Sequence, residues 1–316
     1  MLANIAGTLD GEGSFGVDYN PRMNSYLPRV QVHMTAEQPL RRLIGLFGGS
    51  MQAVKMAHNG RKQPYHYTAS GKNARALIEQ TIPYLVEKRE QAQILLDLQA
   101  NIDEWNRKSR QRGHLPADVI ELRRSLSCRC KELKQLAVNS DGFDCAWSDK
   151  ERMAYLSGYL EAEGCFTINR GVGNHFFSTL TVQVPCKAPI LILMRVFNGT
   201  VIERHKEVGK DLFMWRVKGK AAADVCRSIK CYLLFRHEEA DILRTLQNTT
   251  DLWAKKFGRK GMPEWLTLKR IEWLNRIHRI HKPERAETKP EQPRNEVSDS
   301  PICNEPEVAG LKLATV

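Results

Sequence analysis

The sequence has no run of 18 apolar residues; its richest window, Pro189–Phe197, already contains Arg195. A membrane-spanning helix is therefore excluded. No charged segment followed by an apolar one opens the chain, so no export signal is expected. None of the eight cysteines forms a C-x-x-C pair, which removes zinc-ribbon spacing. A chain of 316 residues with 42% hydrophobic content can fill a core without disulfides. The thiols therefore read as reduced and intracellular, in cytoplasm, nucleoid or an organelle matrix. Acid is also scarce: 36 Asp and Glu face 48 Lys and Arg, for a net charge of +12. A basic intracellular protein points to a polyanionic partner.

The charge is unevenly spread. Residues 283–316 hold five of the 14 prolines, carry a net charge of −3 and show no apolar period. This stretch reads as a disordered acidic tail. The remaining body carries +15. Two basic runs stand out in it, Arg107–Arg112 and Lys255–Lys260.

Those runs belong to an internal repeat. Ile5-Ala-Gly-Thr-Leu-Asp-Gly-Glu-Gly-Ser-Phe15 matches Leu156-Ser-Gly-Tyr-Leu-Glu-Ala-Glu-Gly-Cys-Phe166, 151 residues on. Pro39–Gly49 matches Pro189–Gly199, Tyr84–Ala92 matches Tyr232–Ala240, and Leu115–Arg123 matches Met262–Arg270, with offsets drifting down to 147. Repeats of about 20–50 residues would mean a solenoid. A doubled unit of this size means two similar domains about a pseudo-twofold axis, one over 1–140 and one over 148–282, ahead of the 283–316 tail.

Each copy reads as α+β in the order αββαββα. A helix ends at Gly13 or Gly164, a common helix stop, and Ser148 with Glu151 forms a capping-box pattern. Alternation after each glycine argues for strands. Further strands are expected over 29–34, 50–56 and 65–69, and over 179–184, 200–205 and 213–218. Helices are expected over 39–47, 72–80, 84–106 and 117–137, and over 189–197 and 220–229. The first helix has no capping residue ahead of it, so residues upstream of Met1 or fraying are expected.

The two glycine-ended helices carry the chemistry. Gly7 and Gly11, and Gly158 and Ala162, are small residues four apart on one helix face. Such faces let two backbones approach closely. If they pack together, Glu12 and Glu163 meet at the bottom of the interface. Paired carboxylates repel unless they share a proton or hold a cation. Oxygen donors alone suit Mg²⁺ better than zinc.

Ile5–Gly13 and Leu156–Gly164 resemble the two signature motifs of the LAGLIDADG homing endonucleases. The Phe after each motif, the Phe-Gly-Gly and Phe-Asn-Gly turns and Ile82-Pro-Tyr-Leu-Val-Glu-Lys88 agree with that family's double-motif, single-chain form over residues 2–282. The resemblance implies a monomeric, site-specific double-strand DNA endonuclease using Mg²⁺ or Mn²⁺, with motif helices at the domain interface and antiparallel sheets on DNA. It implies that Glu12 and Glu163 bind the metal, aided by the carbonyls of Gly11 and Ala162. Lys88 and Arg236 fall at the family's basic active-site positions. Asp10 and Glu161 match an acid used structurally.

The resemblance also implies a long asymmetric DNA target, contacted by alternate residues of each sheet. Candidates are Arg22, Arg29, Gln31, Arg61 and Lys62 in the first copy, and Asn169, Arg170, Gln183, Arg216 and Lys218 in the second. The basic runs would hold phosphates. Two alternatives use the same fold: a maturase with an intron RNA as partner, and a DNA-binding regulator without cleavage.

Overall fold

The computed structural model describes residues 1–54, 62–108, 115–135, 146–172, 175–205, 209–257 and 263–281. The expected tail lies outside the described residues, as do 109–112 and 258–260 of the basic runs. No helix among the described residues is long and apolar enough to cross a membrane.

The first copy runs α1 (Leu2–Glu12), β1 (Gly13–Asn20), β2 (Ser25–Met34), α2 (Glu37–Phe47), β3 (Ser50–Ala53), β4 (Tyr65–Ser70) and α3 (Lys72–Thr81), followed by α4 (Arg89–Lys108) and α5 (Ala117–Gln135). The second repeats the order: α6 (Asp149–Glu163), β5 (Gly164–Arg170), β6 (Phe176–Val184), α7 (Lys187–Phe197), β7 (Thr200–Arg204), β8 (Leu212–Lys218) and α8 (Lys220–Ile229), then α9 (His237–Phe257) and α10 (Glu264–His281). The expected αββαββα order is therefore present twice. The strands form two four-stranded antiparallel sheets, ordered β1-β2-β4-β3 and β5-β6-β8-β7.

Alternation sets which face of each sheet meets the helices. In β2, Tyr26, Val30, Val32 and Met34 are buried; in β6, Phe176, Leu180, Val182 and Val184 are. Their neighbours in sequence face the other way, as the two-residue period of a strand requires. The α2–β3 and α7–β7 turns use left-handed backbone at Gly48 and Gly49 (φ 72° and 97°) and at Asn198 and Gly199 (φ 55° and 115°). Glycine and asparagine tolerate that region best. Each turn is tied to the core by a buried aromatic with a polar tip: the Tyr67 hydroxyl donates to the Gly48 carbonyl at 2.9 Å, and Trp215 Nε1 to the Asn198 carbonyl at 2.6 Å.

α1 and α6 pack directly against each other, joining the two copies. A Cβ on Gly7 would lie 2.1 Å from the Tyr155 carbonyl oxygen, and one on Gly158 would lie 2.0 Å from that of Asn4. A Cβ on Gly11 would lie 2.4 Å from the Cβ of Ala162. Only glycine permits this approach at the first two positions. Ser148 caps α6 through the expected reciprocal box with Glu151.

Gly13 and Gly164 stop their helices as expected. Both have ordinary extended backbone, with φ of −78° and −75°. They are glycines because a Cβ would sit 2.4 Å from the Leu9 carbonyl oxygen and 2.3 Å from that of Leu160. α4 differs from expectation: it begins at Arg89 instead of 84, after a short 3₁₀ turn over Ile82–Tyr84.

Candidate active site

Each motif helix ends at its glutamate, and the next residue starts a strand. The two acids thus stand at the roots of the two sheets, where α1 and α6 meet. Glu163 Oε1 lies 3.6 Å from where a Gly11 Cβ would be, so the small residue makes room for the acid of the other copy. Burial, followed by the charge of Glu163, pushes the Glu12 carboxyl up to about 7 from 4.5, against the pull of Lys88 and Arg236. Burial also raises Glu163, again opposed by Lys88 and Arg236. These directions follow from removing like charges from water together.

The preceding acids hold the cations in place. The buried Asp10 carboxylate accepts the backbone N–H of Val86 at 2.7 Å and of Lys88 at 3.0 Å, and the Tyr155 hydroxyl at 2.9 Å. Glu161 accepts the backbone N–H groups of Leu234, Phe235 and Arg236 in the same way. The segment from Val86 to Lys88 therefore takes its shape from a carboxylate on α1, which is why the helix expected from 84 starts late.

Lys88 and Arg236 close the helix ends. Lys88 Nζ donates to the carbonyls of Leu9, Asp10 and Gly11 at 3.0, 2.6 and 3.1 Å. A cation there offsets the negative end of the helix dipole. Its three N–H bonds are all used, so in this arrangement it reaches a phosphate by its field alone. Arg236 Nε donates to the Glu161 carbonyl at 3.0 Å, and its guanidinium lies 5.4 Å and 5.7 Å from the ring centres of Phe166 and Phe235.

A further acid went unread in the sequence. Burial pushes the Glu87 carboxyl up to about 7; Lys88 opposes this, and the charges of Asp10 and Glu163 add to it. Its position in the quoted Ile82–Lys88 segment was its only signal. Its counterpart by repeat is Phe235, so comparing the copies hides it.

Several solved structures share this fold. The LAGLIDADG homing endonuclease I-GzeII, solved with its DNA target, aligns over 88% of this chain and 97% of its own, with a TM-score of 0.64 at 14% identity. The LAGLIDADG meganuclease I-AabMI, bound to uncleaved DNA, aligns over 87% of this chain and 98% of its own, at 0.62 and 16%. The chain has the LAGLIDADG endonuclease fold. I-SmaMI, bound to an uncleaved DNA target in the presence of calcium ions, shares that fold at a TM-score of 0.58 and 14% identity, over 88% of this chain and 99% of its own. A scan against protein-family models gives no match, and neither does a search of curated proteins.

Within the LAGLIDADG fold, strand register places the expected DNA-contacting residues. Arg29 and Gln31 share the helix-free face of the first sheet, where Gln31 pairs with Ser14 and Thr68. Arg29 is not free there; it forms an ion pair with Asp18 across the strands. Asn169, Gln183, Arg216 and Lys218 share the corresponding face of the second sheet. Asn169 donates to Thr179 Oγ1 at 2.7 Å, and Lys218 Nζ lies 5.6 Å from the Phe177 ring centre. Arg22 is exposed in the β1–β2 turn, and Lys62 is exposed ahead of β4. Arg170 differs: alternation points it with Phe176 toward the other face, over that ring at 5.8 Å. Arg61 lies outside the described residues.

The donors at the centre fit a hard divalent cation. Glu12 and Glu163 have no hydrogen-bond or ion-pair partner among the described residues, so both carboxylates are open to a ligand. No cluster of three or more His, Cys, Asp or Glu residues suited to a metal occurs among the described residues. Two carboxylates plus carbonyls leave the rest of an oxygen shell to water and phosphate, as Mg²⁺ commonly requires. The Gly11 carbonyl already accepts Lys88 but retains a second lone pair.

Proposed function

We propose that this protein is a site-specific double-strand DNA endonuclease using a divalent cation. The observation that carries the reading is the meeting of two half-buried carboxylates, one per copy, without a hydrogen-bond partner among the described residues and within the fields of the cations Lys88 and Arg236. Paired acids held at a helix interface are costly unless a cation joins them. One acid per copy matches one cut per strand of a duplex.

Glu12 and Glu163, with the carbonyls of Gly11 and Ala162, would hold Mg²⁺ or Mn²⁺. A bound ion of this kind polarises a phosphoryl oxygen and lowers the pKa of water. Lys88 and Arg236 supply fixed positive charge toward phosphorus, preorganised by Asp10 and Glu161. The helix-free sheet faces, carrying Gln31, Gln183, Arg216 and Lys218, read base edges in the major groove at every second position. Arg22, Lys62 and the basic runs add phosphate affinity.

The test is selection of cleaved sites from a randomised duplex library in Mg²⁺, with Ca²⁺ as a comparison. Recovery of one long asymmetric site cut on both strands in Mg²⁺ is expected. Absence of any enriched, cleaved site would overturn the reading.

A further inference from the structure

Lys134, near the end of α5, is exposed and lies beside the first half-site. Its Nζ donates to Ser14 Oγ at 3.2 Å, two residues beyond Glu12. The same Nζ would lie 3.3 Å from a Cβ on Gly16, so a glycine leaves the space that it occupies. Ser14 and Gly16 alternate with the buried Phe15 and therefore belong to the helix-free face of β1. Lys134 thus reaches around the edge strand onto the face that carries Arg29 and Gln31.

Two cations, Arg29 and Lys88, act on it electrostatically. Burial lowers its ammonium below the usual lysine range; Cys130 opposes this, and the charges of Arg29 and Lys88 add to it. Lys134 has no carboxylate partner among the described residues. Its backbone carbonyl accepts Lys210 Nζ from the β7–β8 connection at 2.6 Å, which fixes the end of α5. Arg29 is paired with Asp18, so Lys134 is the ammonium on this stretch of the face left to meet an anion.

The second half-site is built differently. By the repeat offset of 147, the equivalent of Lys134 is His281 at the end of α10. His281 Nε2 is enclosed and has no hydrogen-bond partner among the described residues. Burial and the charges of Arg236, Lys62 and His278 favour its neutral form.

We propose that Lys134 contacts a DNA phosphate beside the half-site of Glu12 and Lys88, that the half-site of Glu163 and Arg236 carries His281 at the equivalent position, and that the two strands are consequently cut at unequal rates. This rests on the endonuclease reading. The phosphate contact would position one strand, and the other would lack its counterpart at His281.

The experiment uses the full-length chain and the selected duplex, with each strand end-labelled separately, in Mg²⁺. The wild type should accumulate a nicked intermediate with one strand favoured. K134A should slow that favoured strand about tenfold, the effect of losing one hydrogen bond to a charged group, and leave the other strand unchanged. K134R should restore the bias, since it retains a donor cation. If K134A slows both strands equally, or neither, the assignment of Lys134 is overturned while wild-type cutting keeps the endonuclease reading intact. A wild type that cuts nothing overturns the endonuclease reading itself.

Discussion

Lys88 gives its backbone N–H to the Asp10 carboxylate at 3.0 Å and its ammonium to the Asp10 carbonyl at 2.6 Å. One residue thus fixes both the path and the charge of the other. Asp10→Ala would strand three donors, the buried Val86 N–H and Tyr155 hydroxyl and the partly buried Lys88 N–H. A loss of about 3–5 kcal/mol is expected by chemical denaturation. Asp10→Asn retains an acceptor and should lose less. Equal losses for the two variants would contradict this role.

The motif-helix interface predicts a steep glycine dependence. Gly7→Ala and Gly158→Ala drive a Cβ into backbone oxygens at 2.1 and 2.0 Å, which no rotamer relieves. Each should destabilise by about 3 kcal/mol or more, as forced overpacking of two backbones does. Gly45→Ala in α2 is the control, because its Cβ would meet nothing within 4 Å. That change should be neutral or stabilise by about 1 kcal/mol. Thermal melts of the three variants decide the matter.

The raised carboxyl of Glu12 makes metal-free stability depend on pH. Its folded value of about 7 exceeds the ordinary 4.5, so between these values the native state binds more protons than the unfolded state. Stability therefore falls as pH rises through that window and stays lowered above it. Glu12→Gln should stabilise the metal-free protein at about pH 8 by roughly 1–2 kcal/mol, and much less at about pH 4. Added Mg²⁺ should raise the wild-type melting temperature at the higher pH and that of Glu12→Gln far less. Identical melting profiles for the two proteins across pH would refute the raised carboxyl.

Arg236 lies between two aromatic rings and on a helix-end carbonyl, so its charge is only part of its role. Lysine keeps the charge but lacks the flat, stacking guanidinium. Arg236→Lys should cost about 1–2 kcal/mol of stability and slow one strand's cleavage more than the other's. Strand-resolved rates beside melting curves would show it; unchanged values in both would rule out the stacking role.

Much of this was readable in the chain. The motif helices, their small faces and the two sheets follow from periods of four and two, written twice. The start of α4 at Arg89 was not readable, because a carboxylate 76 residues earlier in sequence holds Val86 out of a helix. Glu87 and Lys134 were hidden by the very repeat that revealed the fold, since their counterparts are Phe235 and His281. The glycines that stop the motif helices were legible, but the contact that requires them was not. They avoid a carbonyl one turn back and do not need left-handed backbone. Which way Arg170 points depends on register against Phe176, which only pairing in three dimensions sets.

The proposed endonuclease activity rests on Glu12 and Glu163 together holding the metal. The direct measurement is cleavage of the selected duplex by Glu12→Gln in Mg²⁺, with affinity measured in Ca²⁺. Retained DNA binding with double-strand cutting abolished is the result expected, since the change keeps size and removes one oxygen ligand's charge. Double-strand cutting at the wild-type rate would remove Glu12 from the metal site.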